Sequence, residues 1–411
     1  MPRNNKGGRG ANGSGSIRKL TINGKTYWQG RYTTGFDPVT GKQAQRSVSG
    51  KTQAEVAKKL REITSKIDLG TYTAPCKMTL AEWAEIWTRD YIVDVRPSTA
   101  YLYQRNLSLH VLPELGSVRL DKLTTQMIQR VYNDLYNPKE PSKKPLQPKS
   151  VKDVHGVLHK LLDQAVKCNY IPLNPSNGCV LPKVEKAEIK PLEREQIIAL
   201  LSAIEGHVHE WYYRIAMFTG LREGEMLGLT WDCIDFGRAT LTVKQQLRKS
   251  QERGGGYYMA PTKNGKQRVI ALAPSVLEYF RQQRQKLLNM ESHAGCAWQK
   301  KVLLYSTTDR KPREYDLVFR NEIGDRLSYR TVYDCFKRVV KELGIPDTRI
   351  HDLRHTFAVI SLLGGDDVKT VQQNLGHATA SFTLDVYGHV TDQMRRNSAD
   401  RMENFIQDVS A

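Results

Sequence analysis

The sequence predicts a multidomain chain with three architectures in series. A small three-stranded β-sheet with one helix comes first, then an all-α domain, then a mainly α (α+β) domain. Three observations carry this reading of the 411 residues. Short runs of β-forming residues punctuated by turn dipeptides fill the beginning of the chain. Apolar residues at helical spacing, opened by capping residues, come next. Mixed helical and extended patterns occupy the C-terminal half. The length allows two or three domains, each able to bury a core.

Charge narrows the function classes. The net charge of +19 argues for a polyanionic partner and says nothing about fold. Nucleic acid is the leading candidate, an anionic membrane surface the second. Against a membrane role, no apolar run approaches the ~18 residues of a spanning helix. The polar, glycine-rich start does not read as a secretory signal. Cys76, Cys168, Cys179, Cys233, Cys296 and Cys335 are dispersed, with no Cys-x-x-Cys pair. They read as reduced thiols of a cytoplasmic protein, not as a zinc site or disulfide framework, and no cofactor is expected.

Residues 1–16 hold Arg3, Lys6 and Arg9 among Gly, Asn and Ser, a composition that cannot bury a core. They predict a disordered basic tail. Ile17–Ile22 is the first extended run and ends at Asn23-Gly24, a strong hairpin signal. Thr26–Phe36, with Tyr27, Trp28, Tyr32 and Thr33, is the second; Asp37–Gly41 is a turn and Lys42–Val48 the third strand. Thr52–Leu69 has helical spacing and alternating charge. A sheet-plus-helix domain over residues 17–75 follows. Residues 1–75 hold fourteen Lys/Arg against four Asp/Glu, a net +10 of the whole chain's +19. Basic residues interleaved with aromatics on a small sheet suit a strand face laid on DNA.

Thr79-Leu80-Ala81-Glu82 is a capping box opening a helix with Leu80, Trp83, Ile86, Trp87 and Tyr91. Pro97-Ser98-Thr99 starts a second helix, through Tyr101, Leu102 and Leu109. A third runs from Thr125 to Leu135, and a fourth from Lys149 to Asn169, after the Pro/Lys-rich connection Asn137–Pro148. These predict a helical domain over residues 77–175. Its Trp/Tyr stripe reads as core; Arg105, Lys149, Lys152 and Lys160 are the candidates for backbone contact with nucleic acid. The Pro-containing stretch up to Pro191 reads as an interdomain connection, with the linker at 176–191.

The C-terminal domain, residues 192–390, holds the chemistry. Glu210–Phe218 is a helix broken by Thr219-Gly220, and Leu221–Glu225 begins the next turn. Arg222 therefore sits at a helix start, where free N–H groups favour an anion. Ala239–Leu247 and Gly256–Leu272 read as strands, with Thr262–Gly265 as a hairpin tip carrying Lys263. Glu278–Met290 is helical, residues 291–316 an irregular polar loop without assigned function, and Arg330–Leu343 helical again. In the helix from His351, Leu353, Phe357 and Ile360 form the apolar stripe, while His351, Arg354 and His355 share a different face. Asp366 is the expected N-cap of a helix ending at Leu375, with Gly376 as its stop. His377 is thereby presented at a helix end. Gly365-Asp366-Asp367 does not read as a metal site. Tyr387 lies in a polar context between Val386 and Gly388, and Asp392–Val409 has a helical pattern with Met394, Met402, Phe405, Ile406 and Val409 apolar.

Arg222, Lys263, His351-x-x-Arg354, Leu375-Gly376-His377 and Tyr387, in that order and spacing across residues 190–395, resemble the tyrosine recombinase (phage integrase) family. The resemblance extends to residues 77–175, similar to that family's core-binding domain, and to residues 17–70, similar to the arm-binding domain of integrases from phages and conjugative transposons. It implies Arg222, Lys263, His351, Arg354 and His377 as the catalytic basic set and Tyr387 as nucleophile, with no metal and no ATP. His355 has no assigned role. It also implies double-stranded DNA with core and arm-type sites as partner, in the bacterial cytoplasm or nucleoid. A homo-tetramer joined through the 391–411 tail, and DNA-bending and excision-directing accessory proteins, complete the expectation.

Two other readings use the same residues. A type IB topoisomerase-like enzyme shares the attack chemistry but acts on one duplex as a monomer; the extra basic N-terminal domain fits a recombinase better. A non-catalytic DNA-binding protein would not need six such residues.

Overall fold

The computed structural model describes residues 16–22, 25–36, 43–69, 72, 76–185, 191–250, 255–377, 379, 399–400, 402–403 and 405–410. The chain divides into two compact units, residues 1–185 and 186–411.

In the first unit, β1 (Ser16–Ile22), β2 (Lys25–Phe36) and β3 (Gln43–Gly50) pair antiparallel in sequence order. Ile17 faces Gly30 across β1 and β2, and Gly30 faces Val48 across β2 and β3. Helix α1 (Gln53–Asp68) starts at Thr52, whose hydroxyl accepts from Glu55 N–H, and lays Val56 and Leu60 on one face of the sheet. Gly30 leaves them room, because a Cβ there would overlap the Leu60 and Val56 side chains. Tyr32 packs into the same small core and hydrogen-bonds Tyr72 hydroxyl to hydroxyl at 2.8 Å. The opposite face is polar: Arg18 Nε donates to Gln29, which donates to Ser47. The expected basic tail up to residue 15 and both expected turns, Asn23-Gly24 and Asp37–Gly41, lie outside the described residues.

The helical part of this unit begins with α2 (Leu80–Asp90), whose Thr79/Glu82 capping box forms as the sequence predicts. Helix α3 (Pro97–Asn106) runs through a π-helical turn, Leu107–Val111, into the short α4 (Leu112–Leu115). Then come α5 (Thr125–Tyr136) and α6 (Pro148–Lys167). Trp83 and Trp87 are buried, and Trp83 Nε1 donates to the Leu161 carbonyl at 2.9 Å, so the aromatic stripe is core. The chain does not leave this core at residue 176. A 3-10 turn at Pro175–Gly178 is bound by the Thr125 hydroxyl, Val180 N–H donates to Gln129, and Leu181 packs on the helices.

The second unit opens with α7 (Arg194–Ala203), α8 (Glu210–Thr219) and the one-turn α9 (Glu223–Leu227). Four short strands follow: β4 (Ile234–Asp235), β5 (Thr240–Val243), β6 (Gln245–Lys249) and β7 (Tyr257–Pro261). After β8 (Arg268–Ala271) come α10 (Pro274–Ala294), β9 (Val302–Ser306) and β10 (Lys311–Tyr315). Helices α11 (Tyr329–Glu342), α12 (Ile350–Leu363) and α13 (Val368–Leu375) come next. The strands form two sheets, β10-β9-β7-β6 and β4-β5-β8. Tyr212, Tyr213, Phe280, Phe319 and Phe336 fill the core between helices and strands.

Three expectations are corrected. Residues 291–316 are not an irregular loop: they hold the end of α10 and the β9–β10 hairpin. The polar Lys311–Tyr315 edge strand hides the pattern. The run Ala239–Leu247 is two strands in different sheets, broken at Lys244, and β7 and β8 likewise belong to different sheets. Lys263 therefore sits on a turn between sheets, not on a hairpin tip. The N-cap of α13 is Asp367, not Asp366: its carboxylate accepts from the N–H groups of Lys369 and Thr370 at 2.8 and 3.0 Å. Residues 399–400, 402–403 and 405–410 are helical, with Met402, Phe405, Ile406 and Val409 exposed. Among the described residues, no helix is long and apolar enough to cross a membrane.

Candidate active site

The site grows from two glycine-terminated helices. Helix α8 ends at Gly220 in the left-handed region (φ 62°), where a Cβ would stand 2.5 Å from the Phe357 ring and 2.8 Å from Leu375. That turn delivers Arg222 as the N-cap residue of α9. Gly224 and Gly228 allow α9 to lie flat on β6: a Cβ on Gly228 would overlap the Leu247 amide, and one on Gly224 would meet the Tyr329 hydroxyl at 2.7 Å. Helix α13 ends at Gly376, also left-handed (φ 63°), and His377 follows.

Three arginines converge on the C-terminal end of α13. Arg268 Nε donates to the Asn374 carbonyl at 2.7 Å, Arg354 Nη2 to that of Leu375 at 2.6 Å, and Arg222 Nη2 to that of Gly376 at 3.0 Å. These are successive unpaired carbonyls at the negative end of a helix, where cations are stabilised. Asn264, beside Lys263 on its turn, donates to the Gly376 carbonyl at 3.2 Å. Arg354 is 3% exposed and also donates to the Gly220 carbonyl at 2.6 Å, tying both glycine turns to α12.

Glu225 is the counter-charge. It is 1% exposed, and its two oxygens accept from four N–H groups. Oε1 takes Arg222 Nη1 at 2.8 Å and Arg268 Nη1 at 3.0 Å; Oε2 takes the Arg222 amide at 3.0 Å and Arg268 Nη2 at 2.6 Å. Burial alone would push this carboxyl up, but the bonds and charge of Arg268, with Arg222 beside it, hold it down at about 2. Glu223, two residues away, moves the other way. Burial raises it to about 7, and its Oε1 is buried without a hydrogen-bond partner.

The histidines share one environment. The His351 and His355 rings meet edge to face at 4.9 Å between centroids. Burial, reinforced by the charge of Arg354, lowers His351. Burial and the neighbouring His351 hold His355 at about 4; burial and the charges of Arg354 and Arg222 hold His377 at about 3. Burial thus disfavours the charged form of all three imidazoles.

The structure thus brings Arg222, Arg354 and His377 to one helix end, with His351 one turn before Arg354 on α12. Lys263 is exposed on the turn whose next residue, Asn264, binds that same end. Tyr387 lies outside the described residues. Sequence reasoning missed Glu225, Arg268 and Asn264. Two signals were present: Glu225 stands at capping-box distance from Arg222, and Arg268 alternates in phase with the buried Ile270 on β8. Among the described residues no group of three or more His, Cys, Asp or Glu could hold a metal ion.

Comparison with known proteins gives a consistent result. Residues 190–394 match the phage integrase family and residues 79–136 the phage integrase N-terminal SAM-like domain. The chain is 26% identical over 399 residues to a XerC-like tyrosine recombinase of Caldanaerobacter subterraneus subsp. tengcongensis, covering 93% of this chain and 97% of that one. It is 23% identical over 414 residues to the ICEBs1 integrase of Bacillus subtilis, covering 95% and 100%. Its fold is similar to the Tn1549 transposon integrase in complex with circular intermediate DNA (TM-score 0.65, 21% identity, 79% of this chain and 99% of that one). It is also similar to a lambda integrase tetramer bound to a Holliday junction (TM-score 0.54, 18% identity, 88% and 96%).

Proposed function

We propose a function for this chain from one premise: it belongs to the phage integrase family of tyrosine recombinases, whose members are DNA strand-transferring enzymes. The chain cleaves and rejoins double-stranded DNA to integrate and excise a mobile element. The observation that carries this reading is the convergence of Arg222, Arg354 and His377 on the end of α13.

A DNA phosphodiester carries one negative charge, and more gathers on its oxygens as a fifth bond forms at phosphorus. Arg222 and Arg354 clamp the non-bridging oxygens as preorganised donors, a role in which loss of one donor costs about 3–4 kcal/mol in the barrier. Two of Arg222's guanidinium N–H groups bind Glu225 and Gly376, and the remaining ones are available to the phosphate. Tyr387 is the nucleophile; its ordinary pKa of about 10 requires a proton acceptor at neutral pH. His351, whose charged form burial disfavours, is that acceptor. The bond from the tyrosyl oxygen to phosphorus forms as the bond to the 5′ oxygen breaks, and Lys263 gives the departing oxygen its proton. His377 hydrogen-bonds the phosphate. The product is a 3′-phosphotyrosine and a free 5′ hydroxyl, which a second strand's hydroxyl reverses without ATP or metal.

The remaining parts serve that chemistry. Residues 17–75 bind arm-type DNA through the face bearing Arg18, Gln29 and Ser47, residues 77–175 grip the core site, and 192–390 form the catalytic domain. The exposed Met402, Phe405, Ile406 and Val409 of the 391–411 tail pack on a neighbouring protomer in a tetramer on DNA. DNA-bending and excision-directing proteins assist at the nucleoid. Replacing Tyr387 with Phe is expected to keep DNA binding and abolish the covalent complex on denaturing gels; an adduct that survives the substitution refutes the assignment.

A further inference from the structure

Arg268 belongs to none of the residues to which the strand-transfer chemistry is assigned, yet it bonds two of the groups that arrange them, Glu225 and the end of α13. It stands on β8, five residues after Lys263, and reaches two other elements. Its Nη1 and Nη2 bond both oxygens of Glu225 at 3.0 and 2.6 Å, and its Nε binds the Asn374 carbonyl at 2.7 Å. Gly376 lies so close over it that a Cβ there would stand 3.1 Å from Nη1. We propose that Arg268 is a positioning residue of the strand-transfer site: by saturating Glu225 and gripping the end of α13, it sets the angle of the Arg222 guanidinium and the place of His377. The proposal rests on the reading of Arg222 as a phosphate clamp.

Acceptor capacity makes Arg268 necessary. Glu225 is buried, and each of its oxygens has two donors, one from Arg222 and one from Arg268. Without Arg268 each oxygen keeps a single donor, and a buried carboxylate so depleted either takes up a proton or turns away. In both cases Arg222 loses the fixed anion that orients its Nη1. A clamp displaced by as little as ~1 Å loses about 10²-fold in rate. Arg268 also joins the strand that follows the Lys263 turn to the helix end that precedes His377, and Asn264 repeats that link from the turn itself. The acid's turn, the clamp and the histidine are thereby held in one frame before any DNA arrives.

The charged groups facing Glu225 are Arg222 from its own turn and Arg268 from β8. The end of α13 contributes carbonyls and, beyond them, His377, whose charged form is disfavoured by burial and by Arg354 and Arg222. In the wild type the carboxylate remains ionised throughout the working range. In Arg268→Gln its pKa rises, so the clamp weakens as pH falls.

The test is single-turnover formation of the covalent complex by the full-length chain on a nicked duplex of its own recombination site, at saturating protein, from pH 5.5 to 8.5. Binding of the same duplex and thermal denaturation accompany it. Arg268→Gln is expected to cleave about 10- to 100-fold more slowly at pH 7, with binding nearly unchanged and a deficit that widens toward acid pH. Arg268→Lys is expected to recover most of the rate and the flat profile. Adding Glu225→Gln to Arg268→Gln is expected to remove the acid limb by bringing the rate at high pH down to the level of the acid end. The proposal is overturned if Arg268→Gln cleaves like the wild type. It is overturned equally if its loss is the same at every pH, is matched by the loss of binding and of melting temperature, and is not relieved by Lys. A wild-type chain that forms no covalent complex refutes the strand-transfer reading itself, a result distinct from either.

Discussion

Arg18, Arg31 and Arg46 stand exposed on the N-terminal sheet, whereas Arg222, Arg268 and Arg354 are drawn into the C-terminal unit against a buried carboxylate and three helix-end carbonyls. The residue type is the same, the physics is not. An exposed guanidinium meets DNA through a screened field and the release of counterions, and each contributes a small, interchangeable share. An inward guanidinium acts where screening is weak and its direction is already set, so its exact placement governs the rate. The chain's large positive charge therefore divides into exposed cations and cations fixed by buried partners.

The sharpest way to break that division is to remove one arginine from each region. Arg354→Ala is expected to lower covalent-complex formation by about 10²- to 10³-fold while binding changes little. Arg31→Ala is expected to leave cleavage of a core-site duplex unchanged, weaken binding to arm-type DNA modestly, and reduce the salt slope of that binding by about 1. If both variants lose binding and cleavage in the same proportion, the two regions do not differ in kind.

Glycine gives a second, smaller contrast, read by urea denaturation. Gly228→Ala drives a methyl into the Leu247 main chain, which cannot move aside, and is expected to destabilise the C-terminal unit by about 3 kcal/mol. Gly30→Ala meets only the Leu60 and Val56 side chains, which can turn, and is expected to cost the sheet domain about 1 kcal/mol. Equal losses would mean that the small sheet core is as unyielding as the larger one.

The third contrast lies within one turn of the C-terminal unit. Glu225 is depressed on folding, so its contribution is present above the ordinary carboxyl range and disappears as pH falls toward 2. His355 and His377, also depressed, add a loss of stability as pH falls below about 6.5. Glu223 is raised to about 7, so its contribution is complete below pH 4.5 and is lost as pH rises through 7. Glu223→Gln is therefore expected to gain on the wild type by about 1 kcal/mol between pH 6 and 8.5, measured as melting temperature against pH. A constant difference across that range would show that Glu223 does not titrate there.

Much of this was legible in the residues. The sheet, the Thr79/Glu82 cap and the helix ends at Gly220 and Gly376 follow from local chemistry that the rest of the fold does not override. That Arg222, Arg354 and His377 meet at one helix end follows an order of residue types readable along the chain, since such an order is informative even between distant residues; Tyr387 lies outside the described residues. What failed to show was set by tertiary pairing. Strand β10 is polar along its length and is a strand because β9 binds it. The break at Lys244 is invisible in a continuous β-forming run, because only the two sheets define it. Asp366 and Asp367 are chemically equivalent caps, and the backbone chooses between them. Arg268 and Glu225 looked like ordinary charges until folding brought them together from 43 residues apart.

The end of α13 has one more consequence. The acceptors that order the three arginines are main-chain carbonyls of residues 374–376, and every amino acid supplies the same oxygen. Substitution of Asn374 leaves its carbonyl in place, so no compensating change is demanded of Arg268. In a comparison of many related sequences these contacts would leave no paired variation, however much the reaction depends on them. The arginines would register as intolerant of change and their partners as indifferent, and coordinates are needed to show that the two belong together.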